Sequence, residues 1–433
     1  MAEIKPFRAF RYNQALGENI DKLTSPLFDV VSEKYREKLY QSEYNSIHIS
    51  VPLEGPDGAL LEHRIEEWKA KGVIVQDQTP AIYVYYQHFK LPGHTRSFCR
   101  KGIVCNIRLY DWEEQIILRH EDTMPHSVND RKKLLEHTHM HVSPTHGLYT
   151  DVDKSIEQYM EDAMQSPLYD SEDYQGVRDV LGVIQDYEVI QKIRSLLKDK
   201  QVILADGHHR YQGALAYLKE QKAKDKLHTG NEPYNFHTMY LTNTESDDLR
   251  IFPTHRLIQG INEFSAEQFL DDLSEYFHIR SMDNDEDIMA VIAGKKWAFG
   301  LMIGDDVYKI RLRQEKYYEI AWAIPDILKQ LDITILHYFI MEKVLEIKKE
   351  KQPISKKIRF ERNLSACVKE VISGKAQAAI LTQEIPMQTV KDVCFSGYTL
   401  PQKSTYFYPK VICGYLFGSI KPEDNHAKID RSF

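Results

Sequence analysis

A chain of 433 residues is too long for one ordinary hydrophobic core, so two domains are expected. Its 42% hydrophobic and 28% charged residues exclude a disordered protein, and a formal charge of -8 excludes a globally basic nucleic-acid binder. The cysteines (Cys99, Cys105, Cys367, Cys394 and Cys413) form no C-x-x-C pair and suit reduced thiols rather than a disulfide framework.

In chain order, Ile4 to Phe10 alternates like a strand, Ser32 to Tyr40 has helical character, and Asn45 to Pro52 alternates again before the turn Glu54-Gly55-Pro56-Asp57-Gly58. Leu60 to Lys71 is an amphipathic helix with Leu61, Ile65 and Trp68 on one face. Ala81 to Phe89 and Gly102 to Leu109 read as strands around a Pro-Gly loop. Residues 110–150 are rich in histidine. Ser155 to Lys198 is helical with a strand at Val180 to Gln185, and Met239 to Thr242 and Arg250 to Pro253 are strands. Further on, Ser265 to Phe277 is helical, Trp297 to Ile303 and Val307 to Leu312 form a hairpin, Leu331 to Ile347 is a long helix, and Ala376 to Leu381 and Lys410 to Gly414 are strands. The whole predicts a mixed α/β fold with a domain at 1–260 and a second α+β domain at 261–433. No run approaches the roughly 20 apolar residues of a membrane helix, and Met1 to Pro6 has no apolar signal-peptide core. A cytoplasmic, membrane-free protein is expected, with a homodimer as the default assembly.

The sharpest signal is Val202-Ile203-Leu204-Ala205-Asp206-Gly207-His208-His209-Arg210. Four apolar residues make a buried strand, Gly207 permits a tight turn, and a helix follows with Tyr211, Leu215 and Leu218 on its apolar stripe. A strand end, a turn and a helix N-terminus leave free N–H groups and the positive end of a dipole at one spot, which suits an anion. Arg210 adds a forked donor, and His208 and His209 add groups that titrate or donate. The plain alternative is that Asp206 caps the helix and the histidines satisfy nearby polar groups.

Three further segments carry charge. In His120-Glu121-Asp122-Thr123, Glu121 and Asp122 suit a general base or a magnesium ligand, or else a solvated loop. Pro253-Thr254-His255-Arg256 follows a strand. Pro401 to Lys410 holds Lys403, Ser404, Thr405, Lys410 and three aromatic residues, fitting either a phosphate contact or a surface loop. His137, His139, His141 and His146 invite a zinc site, with His-x-His-x-His placing three rings on one strand face, but neither cysteines nor H-E-x-x-H accompany them.

Taken together, these segments resemble the domain-of-unknown-function family 1015. The resemblance runs from Ile4-Lys5-Pro6-Phe7-Arg8 and Ser25-Pro26-Leu27-Phe28-Asp29 through His120-Glu121, Asp130-Arg131 and the A-D-G-H-H-R-Y run to P-T-H-R and P-x-K-S-T-Y-F-Y-P-K. Leu27-Phe28 departs from the Pro-Tyr expected there, which puts an early pocket contact in doubt. The A-D-G-H-H-R turn also looks like the phosphate-binding turn of the ParB/sulfiredoxin-like superfamily, which includes free-serine kinases. The resemblance implies a ParB/sulfiredoxin-like core and serine metabolism: a kinase-type phosphotransferase making O-phospho-L-serine from L-serine, with pyrophosphate favoured over ADP or ATP as donor and Mg²⁺ as cofactor. The reverse or phosphatase direction stays open.

On that reading Gly207, His208, His209 and Arg210 cradle the donor phosphates, with His255, Arg256, Lys403, Ser404, Thr405 and Lys410 adding contacts. Asp206, Glu121 and His209 are the catalytic candidates, and Asp206 and Glu121 are the metal candidates. The absence of G-x-x-x-x-G-K-[ST] and G-x-G-x-x-G fits a donor without a base. The competing reading is a ParB-like, nucleotide-controlled, DNA-associated regulator; neither a basic recognition helix nor a basic charge accompanies it, so no nucleic-acid partner is expected.

Overall fold

β-branched and aromatic runs in the first 250 residues assemble a nine-stranded sheet. Its strands are β1 (Ile4–Lys5), β2 (Ile82–Lys90), β3 (Ser97–Arg108), β4 (Ile117–Arg119), β5 (Thr145–Tyr149), β6 (Tyr169–Glu172), β7 (Arg178–Ile184), β8 (Val202–Asp206) and β9 (Phe236–Asn243). They lie in the order β4-β8-β5-β9-β3-β2-β7-β6, with β1 beside β3. The β4–β8 and β5–β9 pairs are parallel; β8–β5 is antiparallel and shifts register between Leu204 and Asp206. This computed structural model describes residues 2–17, 19–53, 55, 59–91, 94–283, 287–401 and 403–425. Glu54 and Pro56 to Gly58 of the predicted turn, Pro92-Gly93 of the predicted loop, and Gln402 lie outside them.

Contacts divide the chain into one unit of residues 1–250 and 409–433 and another of residues 251–408. The division differs from the one expected at residue 260 because Val411, Ile412, Cys413, Tyr415 and Leu416 bury in the first unit's core. The segment Pro401 to Lys410 is therefore shared: Lys403, Ser404 and Thr405 belong to the second unit and Lys410 to the first.

Strand alternation gives the first unit's sheet two buried faces. One carries Ile82, Val84, Ile103, Cys105 and Ile107, and packs against α4 (Tyr187–Lys198) and α5 (His208–Lys224) through Ile190, Ile193, Tyr211 and Leu215. The other carries Tyr83, Tyr85, Val104, Leu181 and Tyr240, covered by Phe7, Leu27 and the returning C-terminal segment. Other helices of the unit include α1 (Glu33–Leu39), capped by Ser32; α2 (Ala59–Ala70), which buries Leu61, Ile65 and Trp68 as its periodicity predicts; and α3 (Pro125–Thr138), opened by proline at its first turn.

The second unit has a six-stranded, all-antiparallel sheet: β10 (His255–Ile258), β11 (Phe277–Ser281), β12 (Ala298–Ile303), β13 (Asp306–Leu312), β14 (Ile358–Glu361) and β15 (Ala378–Leu381), in the order β11-β13-β12-β15-β10-β14. Its own core gathers Phe269, Phe277, Phe299, Leu336 and Phe339. With helix at 36% and strand at 26%, the chain is mixed α/β, as predicted. No helix among the described residues is long and apolar enough to cross a membrane.

Three local expectations are corrected. Asn45 to Pro52 contains a helical turn at Ile47–Ser50 instead of a strand, because the buried Asn45 side chain accepts from the Ile47 N–H (2.9 Å) and donates to the Lys22 and Thr24 carbonyls. Leu331 to Ile347 is broken into Asp332–Ile335 and a π-helix at Leu336–Val344. Lys410 to Gly414 forms no strand; only an isolated bridge joins Ser25 to Cys413.

Gly102 on β3 lets Tyr240 lie flat across its neighbour strand. A Cβ there would fall 2.4 Å from the Leu241 carbonyl oxygen and 2.5 Å from a Tyr240 ring carbon. Gly102→Ala is expected to lower unfolding free energy by about 2 kcal/mol through overpacking, seen as a reduced urea midpoint at unchanged slope.

Candidate active site

β8 runs into the core and stops at Asp206. Gly207 then turns the chain with φ 88° and ψ 29°, and α5 starts at His208. The left-handed conformation favours glycine, and space enforces it: a Cβ would lie 2.6 Å from the Thr145 side chain and 2.9 Å from Arg210 Nη2. No side chain caps α5, so its first N–H groups face the turn unclaimed by a cap. Because β4 runs parallel beside β8, with Leu204 opposite Arg119, His120 and Glu121 emerge at the same end of the sheet as Asp206.

Asp206 is the electrostatic centre. Arg210 Nη2 donates to one carboxylate oxygen (2.8 Å), and Lys410, 204 positions away, donates to the other. Burial alone would raise the Asp206 carboxyl, but the Lys410 ammonium and the Arg210 guanidinium outweigh it and hold it well below the usual carboxylate range. Arg210 Nη1 also donates to Ser143 Oγ (2.9 Å) and the Pro144 carbonyl (2.7 Å), while its buried Nε has no partner among the described residues. Two cations around one carboxylate leave the turn net positive.

His120, His146 and His208 are buried, and burial favours their neutral forms. His120 Nδ1 donates to the Leu204 carbonyl (2.6 Å) and its ring meets His208 edge-on at 4.5 Å. Burial lowers His120, with Glu121 opposing; burial and then His120 itself push His208 well below the usual histidine value. His208 Nε2 is buried without a partner among the described residues. His209 Nε2 accepts from the Met124 N–H (3.0 Å), fastening α5 to the start of α3. His146 bonds Thr242 Oγ1 (2.8 Å) and stacks on Tyr240. Arg131 donates to Asp130 (2.7 Å) and lies over the Phe28 ring at 4.3 Å, so the phenylalanine at the departing position serves as a platform for that guanidinium.

The histidine-rich stretch does not form the strand that a zinc reading needs. His137 sits in the last turn of α3, His139 caps it at φ 50°, and His141 pairs edge-on with His237. Among the described residues the one group with metal-ligand spacing is Asp225, His228 and Glu232, where Glu232 already accepts from Thr229 and Gly230. Of the two expected magnesium ligands, Asp206 and Glu121, Asp206 already accepts at both carboxylate oxygens from Arg210 and Lys410. The residues present therefore fit an anion better than a resident cation.

In the second unit, His255 Nδ1 accepts from the Thr382 N–H (3.2 Å), and burial lowers it to about 4. Arg256 is 1% exposed; it donates to the Thr254 and Lys403 carbonyls and engages His337 Nε2, a residue of the π-helix. Arg256 and Ser404 line a cavity of about 350 Å³ together with Asp332, Lys295 and Thr382. Lys403 is exposed with a positive φ of 57°, and Thr405 is half-buried. The first unit thus brings together Asp206, Gly207, His208, Arg210 and Lys410, with His120 and Glu121 beside them. His255, Arg256 and Ser404 gather in the second. His120, which no pattern in the sequence marks as a site residue, lies beside the turn because β4 runs parallel to β8.

The model of the family described as "Protein of unknown function (DUF1015)" matches residues 4–334. No curated protein matches the chain. Among solved structures, a conserved hypothetical protein from Pyrococcus furiosus is 11% identical, with a TM-score of 0.36 over 75% of this chain and 97% of that one. A free serine kinase in complex with AMP is 12% identical, with a TM-score of 0.38 over 75% and 93%. SbnI with C-terminal truncation from Staphylococcus aureus is 13% identical, with a TM-score of 0.34 over 72% and 85%. Likenesses this weak say nothing of the chemistry of this chain.

Removing the Asp206 charge strands two buried cations. Asp206→Asn is expected to destabilise the protein by about 3 kcal/mol at pH 7. A carboxyl held low in the folded state stabilises above its unfolded value of about 3.9, and that stabilisation is lost as pH falls below it. The gap between wild type and Asp206→Asn in urea unfolding should therefore be full at pH 6 and narrow from about pH 4 downward.

Proposed function

The chain belongs to the DUF1015 family, and on that premise we propose that it is a phosphotransferase that makes O-phospho-L-serine from free L-serine, with pyrophosphate as donor. The observation that carries the reading is the α5 N-terminus: backbone N–H groups that no side chain caps, an Arg210 Nε and a His208 Nε2 that are buried without a partner among the described residues, and two cations tied to one carboxylate. Phosphoryl transfer demands positioning and neutralisation of charge more than covalent help from the protein. The acceptor and donor come from the family resemblance.

The serine hydroxyl oxygen attacks the terminal phosphorus of pyrophosphate, the bond to the bridging oxygen breaks, and orthophosphate leaves. The N–H groups of His208, His209 and Arg210, with the Arg210 and Lys410 side chains, hold the donor's oxygens. Asp206, held ionised by its two partners, is too weak a base for the hydroxyl proton and instead fixes Arg210 and Lys410 in place. Glu121, emerging beside the turn, takes the proton, and His209 anchors the helix. Magnesium arrives with pyrophosphate as part of the substrate. His255, Arg256, Lys403, Ser404 and Thr405 remain proposed phosphate contacts of the second unit.

The deciding assay is phosphoserine formation from L-serine with pyrophosphate, ADP or ATP in parallel, each with Mg²⁺. Product with pyrophosphate is expected, and Arg210→Ala should lower kcat/KM by about 10²- to 10³-fold with the fold intact. A fully active Arg210→Ala, or no product from any donor and none in the back-reaction, rules the reading out.

A further inference from the structure

The first unit's sheet carries a polar ladder that the phosphate turn does not use. Asp179 on β7, Gln87 on β2 and Arg100 on β3 stand directly opposite one another across three strands. All three are buried, none more than 1% exposed. Gln87 Nε2 donates to Asp179 Oδ1 (2.9 Å), the Tyr85 hydroxyl donates to the same oxygen (2.5 Å), and Arg100 Nη2 donates to Gln87 Oε1. Gln87 also donates to the carbonyl of Lys410 (3.0 Å), the residue whose ammonium holds Asp206.

The ladder leaves its cation unfinished. Arg100 Nε and Nη1 are buried and have no partner among the described residues. Asp179 does not supply the missing charge: Gln87 stands between the two, and burial pushes the Asp179 carboxyl up to about 8 despite the bonds from Tyr85 and Gln87. A buried guanidinium with idle donors and no counter-charge is costly unless an anion completes it.

Position says which anion. The Arg100 guanidinium lies 5.4 Å from the centre of the Tyr240 ring, and His146 stacks on that ring at 5.3 Å. Tyr240 is opposite His146 in the β9–β5 pair, and His146 is opposite Asp206 in the β5–β8 pair. Arg100 therefore sits on the sheet face of the phosphate turn, two rings removed from it. The turn has backbone donors and two cations for a multiply charged phosphate; Arg100 offers a single charge, which matches a monoanion.

We propose that Arg100 is the carboxylate anchor for the acceptor: its Nε–H and Nη1–H donate to the α-carboxylate of the amino acid, whose hydroxyl points past Tyr240 and His146 toward the turn. The identity of the acceptor rests on the phosphotransfer reading above; the anion site rests on the ladder alone.

Calorimetric titration of the full chain with L-serine, 2-aminoethanol (serine without its carboxylate) and pyrophosphate tests it. Wild type should bind L-serine about 10- to 100-fold more tightly than 2-aminoethanol. Arg100→Gln should lose that preference and still bind pyrophosphate as wild type does. Should Arg100→Gln fail to fold, Arg100→Lys, which keeps the charge but loses the fork, should show a partial loss. Equal binding of the two amines by wild type, no L-serine binding at all, or an unchanged preference in a folded Arg100 variant overturns the anchor. Wild type that binds L-serine with the expected preference yet forms no phosphoserine would sink the phosphotransfer reading and leave the anchor standing.

Discussion

A carboxylate shared between two cations holds the first unit's site together. Asp206 ends β8, Arg210 lies one turn into α5, and Lys410 arrives with the C-terminal segment. Each charge would be costly to bury alone, and each is tolerable only because the others are in place. The triad therefore couples one local strand-turn-helix run to a segment 204 positions further along the chain. It also fixes the chemistry: Asp206 is consumed as a counter-ion, so what remains at the helix N-terminus is donor-rich and positive.

The sheet supplies the rest of the geometry by having two different faces. The face under α4 and α5 is plainly apolar, while the other mixes tyrosines with Asp179, Gln87, Arg100, His146 and Asp206. Such a face needs a cover that is partly polar, and the returning segment provides one. Val411, Cys413, Tyr415 and Leu416 fill the apolar gaps, while the Lys410 carbonyl accepts from Gln87 and Tyr415 donates to the Asp179 carbonyl. Burial here also sets protonation. His120, His146 and His208 are all driven toward the neutral form by desolvation, which leaves Arg210 and Lys410 as the cations around Asp206.

The second unit uses a different device. Its buried cation, Arg256, is braced from beneath by His337, which in turn bonds Gln352 at 2.7 Å. His337 is presented by a π-helical segment, whose wider turn places side chains where an α-helix would not, and such segments recur at functional sites. The cavity that Arg256 walls is a concave surface of the second unit, lined by apolar area with a few charged side chains.

The sequence by itself determined what short-range physics controls. Apolar patterning located β2, β3, β8 and the β12–β13 hairpin, spacing located the buried stripe of α2, and the order apolar run, Asp206-Gly207, helix located the strand-turn-helix, because strand, positive φ and helix start are all properties of neighbouring residues. Tertiary structure decided the rest. Lys410 meets Asp206 only because the residues after it bury on the sheet face that carries Asp206, which no local window reveals. Arg100 becomes an idle buried donor only through register with Gln87 and Asp179 on other strands. The run from His137 to His141, which alternates like a metal-binding strand, is split between a helix end and a two-residue strand because α3 continues through Thr138. Asn45 likewise turns an alternating segment into a helical one by bonding to backbone 23 and 21 residues before it. Local pattern fixes where an element begins; which buried charge finds which partner depends on how distant elements are stacked.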